Sequence, residues 1–263
     1  AVRQVNASEV FVVQDGDEPV TAAAVRWHSA QLGRRGGPQL VQHPATAEQQ
    51  QRRHGSLQQR GEAVARAYKW ALSHAFDALT ADDALIVVED DLYFSPDFME
   101  YFLAGWHVVR ADPTLWCVSA WHDNGFAGLV REPKRVLRTG FFPGLGWLLS
   151  RKLYKDELER AWPSEHWDHW MRSEVKFRTS RGRECLVPEV PRTYHHGEEG
   201  TFMISRTHEK LFGRIRHNTD DSVRWPAAEY DTLRAALGAS GQHGQSAVCG
   251  GAELTKPASS RGR

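Results

Sequence analysis

The chain has few cysteines, no long apolar run and no net charge. Its 263 residues include three cysteines, Cys117, Cys185 and Cys249. None belongs to a C-x-x-C pair or to Cys/His zinc spacing, which argues against zinc-ribbon and thioredoxin-like chemistry. Spacing alone leaves free thiols as the default and a disulfide as the alternative. The longest apolar runs, such as Ala84–Val88, suit buried strands and fall far short of a membrane span. Lys+Arg and Asp+Glu both total 33. That balance argues against a nucleic-acid binder and against an acidic disordered chain. Neither a Walker loop nor a dinucleotide fingerprint occurs. The chain begins at Ala1 with no signal peptide and reads as a fragment or processed form, so the missing leader says nothing of the parent protein. Asn6-Ala7-Ser8 is a formal glycosylation sequon of a kind that also arises by chance.

What is present is an ordinary globular composition, 41% hydrophobic and 25% charged, with ten Trp and thirteen His. Val10–Gln14 reads as a strand ending at the turn Asp15-Gly16-Asp17, and Val20–Leu32 as a helix. Residues 33–55 read as a loop. Gly61–Leu79 places Val64, Tyr68, Ala71, Leu72 and Ala75 on one helical face. Ala84–Val88 reads as a central, buried parallel strand running into Glu89-Asp90-Asp91. Ser95-Pro96 reads as a helix N-cap and first turn, with the helix reaching Arg110. Leu115–Ala120, Val136–Thr139, Trp147–Ser150 and Cys185–Val187 read as strands. Arg151–Arg160, capped by Ser150, and Glu165–Ser173 read as helices. The stretch from Gly241 reads as disordered. This alternation predicts an α/β fold with a mostly parallel central sheet flanked by helices. Ligands bind such sheets beyond the carboxyl ends of strands, where Glu89-Asp90-Asp91 falls.

Consecutive carboxylates after an apolar strand repel one another and call for a counter-charge. A divalent cation supplies one; Mg²⁺ and Mn²⁺ suit carboxylate oxygens and leave positions for water and phosphate. The plainer reading is a solvated acidic turn. Pro143-Gly144-Leu145-Gly146 is either a hairpin turn or a place where a ligand approaches backbone closely. In Trp162–Trp170 an Asp stands among Trp residues. Partial desolvation would raise its pKa and make it a better base, against the plainer reading of a surface helix.

Taken in order, Val87-Val88-Glu89-Asp90-Asp91-Leu92, Ser95-Pro96-Asp97-Phe98, Leu115-Trp116-Cys117-Val118-Ser119-Ala120-Trp121, Phe142-Pro143-Gly144-Leu145-Gly146-Trp147, Trp167-Asp168-His169-Trp170 and Cys185-Leu186-Val187-Pro188-Glu189 form a specific series. The series resembles the eukaryotic β-1,2-N-acetylglucosaminyltransferase I family, clearly from Gly61 to Gly200 and more weakly from Val10 to Arg216. The resemblance implies a nucleotide-sugar-binding GT-A fold, Mn²⁺ as cofactor, UDP-N-acetylglucosamine as donor and a mannose-terminated glycoprotein as acceptor. It implies that Asp91 holds the metal and that Glu89 and Asp90 line the donor site. Leu145 and Trp167 would pack on the donor sugar, Asp15 would contact uracil and Asp168 would be the catalytic base. It also implies a Cys117–Cys185 disulfide, reversing the free-thiol default. The parent protein would be a Golgi type II membrane protein with its catalytic domain in the lumen.

Residues 1–216 are then the catalytic domain, lacking an N-terminal strand, and 217–263 a short extension disordered from about 241. The expected reaction is inverting transfer of N-acetylglucosamine to the 2-hydroxyl of an N-glycan α-1,3-mannose. An O-mannosyl acceptor is the alternative. A further alternative is a degenerate carbohydrate-binding relative, motivated by the missing strand and by Ala67, which stands where the family has a uracil-side His. A metal-dependent phosphatase or nuclease would need more acidic strand ends than the sequence offers.

Overall fold

The computed structural model describes residues 10–32, 38–44, 46–79, 83–163, 180–201, 203, 205–238 and 246–248. Strand β1 (Phe11–Asp15) leads into helix α1 (Pro19–Leu32) and returns as β2 (Gln39–His43), paired parallel to β1. Residues 33–55, expected to be a loop, therefore contain a strand and a helix, α2 (Ala47–Arg53). The polar residues of β2 hide its strand character, because this ribbon is only half-buried. Helix α3 (Leu57–Ala78) starts one turn earlier than its apolar face suggests. The cause is a capping box: Gln59 N–H donates to Ser56 Oγ while Ser56 N–H donates to Gln59 Oε1.

The main sheet contains β3 (Ala84–Val87), β5 (Leu115–Ser119), β6 (Arg135–Thr139), β7 (Trp147–Ser150), β8 (Glu184–Pro188) and β10 (Ser246–Val248), in the order β10-β6-β8-β5-β7-β3. Two expectations are corrected here. The sheet is mixed rather than mostly parallel, since among the described residues β5–β8 is its one parallel pairing. Strand β3 lies at the edge of this sheet, antiparallel to β7, and its residues are half-buried rather than central. Its continuous apolar run reflects cover on both faces, with Leu85 and Val87 packed on the α3 side and Ala84 and Ile86 on the opposite side. The order also rules out a hairpin at Pro143–Gly146: β6 pairs with β8, whereas β7 pairs with β5 and β3.

Apolar layers cover both faces of the sheet. On one face, α4 (Phe98–Val109) and α8 (Tyr230–Gly238) bury Phe102, Val118, Leu148, Leu186, Leu233 and Leu237. On the other, α3 meets Cys117, Leu149 and Cys185 together with Tyr154, Leu158 and Trp162. Tyr154 and Leu158 belong to a π-helical turn (Tyr154–Leu158) between α5 (Arg151–Leu153) and α6 (Glu159–Ala161), and Trp162 directly follows α6. Leu148 and Leu149 face opposite layers, as the two-residue repeat of a strand requires. Cys117 and Cys185 sit opposite each other on β5 and β8 and are disulfide-bonded, with Cα atoms 4.7 Å apart. The bridge spans a sequence separation of 68, for which loop entropy gives a stabilisation of at most about 4 kcal/mol.

A small ribbon stands apart from the main sheet: β4 (Leu92–Phe94) pairs antiparallel with β9 (Thr193–His195). A buried charge pair locks it to the core. Arg192 Nε lies 2.7 Å from Asp97 Oδ2, and both side chains are fully buried. Asn218 Nδ2 and Trp225 Nε1 each donate to Asp97 at 2.8 Å. Asp97, not Ser95, is the residue before α4, but its carboxylate serves this cluster and caps nothing. The segment after Arg216, read as an extension, thus supplies Asn218, Trp225, Leu233 and Leu237 to the buried interior, and β10 lies within the stretch read as disordered. Arg192→Met would leave the buried Asp97 carboxylate without its counter-charge, at a cost of about 3–5 kcal/mol. Chemical denaturation would register this as a lower midpoint with an unchanged slope. Among the described residues, no helix is long and apolar enough to cross a membrane. Helix α7 (Ser205–Lys210) follows the ribbon and packs near it.

Candidate active site

The site forms where β3 ends. Beyond Val87 the chain leaves the sheet, and Glu89, Asp90 and Asp91 lie between β3 and the ribbon strand β4. Glu89 is half-buried, and its Oε1 accepts a hydrogen bond from Tyr68 Oη of α3 at 2.5 Å. Burial pushes the Glu89 carboxyl above the usual carboxylate range, and the neighbouring Asp91 and Asp90 charges push the same way against the Tyr68 bond. Asp90 is exposed.

Asp91 is the constrained member. Its Oδ2 lies 3.1 Å from Nε2 of His195, at the end of β9. Its backbone carbonyl accepts from the His196 N–H at 2.9 Å, and a Cβ built on Gly197 would lie 2.6 Å from Oδ2. Its Oδ1 is closed off from solvent and accepts no hydrogen bond from the described residues. The hydrogen bond from His195 holds the Asp91 carboxyl below its ordinary pKa, overcoming the opposing effect of burial. His195 shifts the other way: burial disfavours its charged form, but the Asp91 bond and charge raise its pKa overall.

Leu145 occupies a turn with left-handed backbone at Gly144 (φ 70°), Leu145 (φ 48°) and Gly146 (φ 91°). For Leu this conformation costs about 1–2 kcal/mol. The turn holds because its carbonyls are all engaged. Ser119 Oγ donates to Gly144 O at 2.9 Å, Thr193 Oγ1 to Leu145 O at 2.8 Å and Ala120 N–H to Gly146 O at 2.8 Å. Pro143, Gly144 and Gly146 are buried, so the half-buried Leu145 is the accessible point of the turn. Thr193 and His195 belong to the same short strand, so β9 ties the Leu145 turn to Asp91.

Asp15 sits at the end of β1, where His43 Nδ1 and Arg53 Nη2 each approach its Oδ1 at 2.6 Å. Gln49 joins this cluster to α3 by donating to Ala63 O at 3.1 Å and to Asp15 Oδ2 at 3.4 Å. Helix α3 therefore supports both Asp15 and, through Tyr68, Glu89. Trp167 and Asp168 lie outside the described residues.

Sequence reasoning missed Tyr68 as a partner of Glu89, and it missed His195. No local pattern in the sequence marks His195 as a partner of Asp91, since the two stand far apart along the chain. Only the β4–β9 register places Leu92 opposite His195.

The donors present suit a divalent cation of the Mg²⁺ or Mn²⁺ type in a particular way. Among the described residues, no group of three or more His, Cys, Asp and Glu side chains could form a cage of protein ligands. Asp91 nonetheless offers an oriented carboxylate with an unpaired oxygen, and ions of this class often take one or two carboxylates and complete their shell with phosphate and water.

The chain matches the GNT-I family over residues 5–242. The alpha-1,3-mannosyl-glycoprotein 2-beta-N-acetylglucosaminyltransferase of Arabidopsis thaliana is 38% identical to it over 170 residues. Those residues are 65% of this chain and 37% of that relative, so the chain aligns with well under two thirds of the relative's length. The family match covers the strand-end carboxylates, the Leu145 turn and both bridged cysteines in one stretch, and on that basis the chain belongs to the GNT-I family.

Proposed function

We propose that the protein is a metal-dependent, inverting glycosyltransferase of GT-A fold that moves N-acetylglucosamine from UDP-N-acetylglucosamine to the 2-hydroxyl of an N-glycan α-1,3-mannose. One observation carries the reading: in a chain of the GNT-I family, Asp91 stands at a strand end with one carboxylate oxygen fixed by His195 and the other unpaired. The name of the Arabidopsis relative supports the choice of acceptor. In this reading Asp91 holds Mn²⁺, which when bound offsets the negative charge of the departing diphosphate. Glu89 and Asp90 line the donor site, and Asp15 meets the uracil. Leu145 and Trp167 pack on the donor sugar. Asp168 accepts the proton of the mannose 2-hydroxyl as that oxygen bonds to the anomeric carbon from the face opposite the leaving group. The bond from the anomeric carbon to the diphosphate breaks in the same step, and UDP leaves with its electron pair. No covalent sugar–enzyme intermediate is needed, as in inverting glycosidases. The parent protein would act in the Golgi lumen, anchored as a type II membrane protein.

The test is incubation of the chain with UDP-N-acetylglucosamine and either a mannose-terminated N-glycan or an O-mannosyl peptide, with Mn²⁺ or with EDTA. A β-1,2-linked product on the N-glycan, formed only with Mn²⁺, is the expected result. Product on the O-mannosyl peptide alone would overturn the acceptor assignment. Sugar binding with neither transfer nor UDP release would mark a degenerate binding relative.

A further inference from the structure

We propose that His195 is a positioning residue that fixes the Asp91 carboxylate in the orientation needed to hold the metal–diphosphate. The inference rests on the functional reading above and extends it to a residue outside the family motifs.

The geometry leaves the imidazole little freedom. His195 is the last residue of β9, directly opposite Leu92, the residue after Asp91. The residue is 5% exposed, and its ring packs against Phe212 (centroids 5.1 Å apart) and His208 (6.0 Å). The His208 ring is anchored in turn, because its Nε2 lies 2.9 Å from the His195 carbonyl oxygen. A ring packed in this way cannot swing off Asp91 without disturbing the end of β9.

The carboxylate is constrained from other directions as well. The Gly197 backbone stands so close that any side chain there would collide with Oδ2. The bond from His196 N–H to Asp91 O fixes the main chain beneath the carboxylate. Asp91 is thus oriented by contacts that leave Oδ1 unpaired, and an unpaired buried carboxylate oxygen is costly unless a ligand uses it. Where the protein supplies a single carboxylate ligand, orientation matters more, because no second ligand corrects a rotation. Outer partners of metal ligands typically contribute 10–100-fold in metal affinity.

The experiment is calorimetric titration of the 263-residue chain with UDP, with and without Mn²⁺, using His195→Phe and His195→Gln. Phe fills the space beside Phe212 and donates nothing. Gln places an amide N–H close to the position of Nε2. His195→Phe is expected to weaken Mn²⁺-dependent UDP binding by roughly 10–100-fold, with metal-free UDP binding unchanged. His195→Gln is expected to recover most of that loss. A merely structural role would weaken both kinds of binding together and would not be rescued by Gln. The inference is overturned if His195→Phe binds Mn²⁺–UDP like the parent while Asp91→Ala does not, or if Gln is as impaired as Phe. A parent chain whose UDP binding ignores Mn²⁺ would overturn the functional reading and this inference together.

Discussion

Asp91→Ala is expected to abolish the Mn²⁺ dependence of UDP binding. The substitution removes the oxygen that is unpaired in this structure and the negative charge that would balance the cation. Glu89 is poorly placed to substitute, since it is engaged by Tyr68 and burial favours its neutral form. Asp90 is exposed and lacks the fixed orientation that His195 gives Asp91. The fold should survive the change: the contact joining Asp91 to the ribbon from His196 is made by backbone atoms, and His195 can release its proton once its partner is gone. Calorimetry with UDP, with and without Mn²⁺, measures the effect directly. Equal metal dependence in parent and variant would remove Asp91 from the role.

How much of this site could be read beforehand depended on the range of the contacts that build it. The end of β3, the Glu89–Asp91 run and the Leu145 turn are local patterns, and each lies where the sequence places it. The cysteine pairing was legible only through family resemblance, because β5 and β8 are brought side by side by a long crossover. His195 was not legible, since β4 and β9 are too short to show periodicity and their pairing joins distant parts of the chain. The fold misreadings share this cause. Ser95-Pro96 has the local chemistry of a cap, yet the chain enters α4 from Asp97, which Arg192, Asn218 and Trp225 engage from far along the sequence. The apolar run of β3 suggested a central strand because a strand covered on both faces reads as continuously apolar whether it lies inside the sheet or at its edge. Most of the described Trp residues belong to the core: Trp116, Trp121, Trp147, Trp162 and Trp225 are buried, so abundant Trp was not in itself a mark of sugar binding.

The remaining large effect concerns Asp168. Asp168→Asn is expected to leave Mn²⁺-dependent UDP binding nearly intact while transfer falls by roughly 10²–10⁴-fold, the usual contribution of a positioned general base. That range corresponds to about 2.7–5.5 kcal/mol of barrier. Asn keeps the size of the side chain and can still hydrogen-bond an acceptor hydroxyl, but it cannot take its proton. Binding and transfer therefore separate in this variant, whereas in Asp91→Ala both fall together. The segment carrying Asp168 leaves the described fold at a fixed point. Trp162 is buried, and its Nε1 donates to Ala65 O of α3 at 2.9 Å. Helix α3 also brings Tyr68 to Glu89, so one helix supports both Trp162 and a carboxylate proposed to line the donor site. Single-turnover transfer at saturating UDP-N-acetylglucosamine and Mn²⁺ isolates the chemical step, and calorimetry on the same protein checks that the donor side is undisturbed. Full transfer by the Asn variant would remove Asp168 as the base and leave the Asp91 assignment standing, because that rests on the end of β3 and the β4–β9 ribbon. Loss of UDP binding along with transfer would instead place Asp168 on the donor side of the reaction.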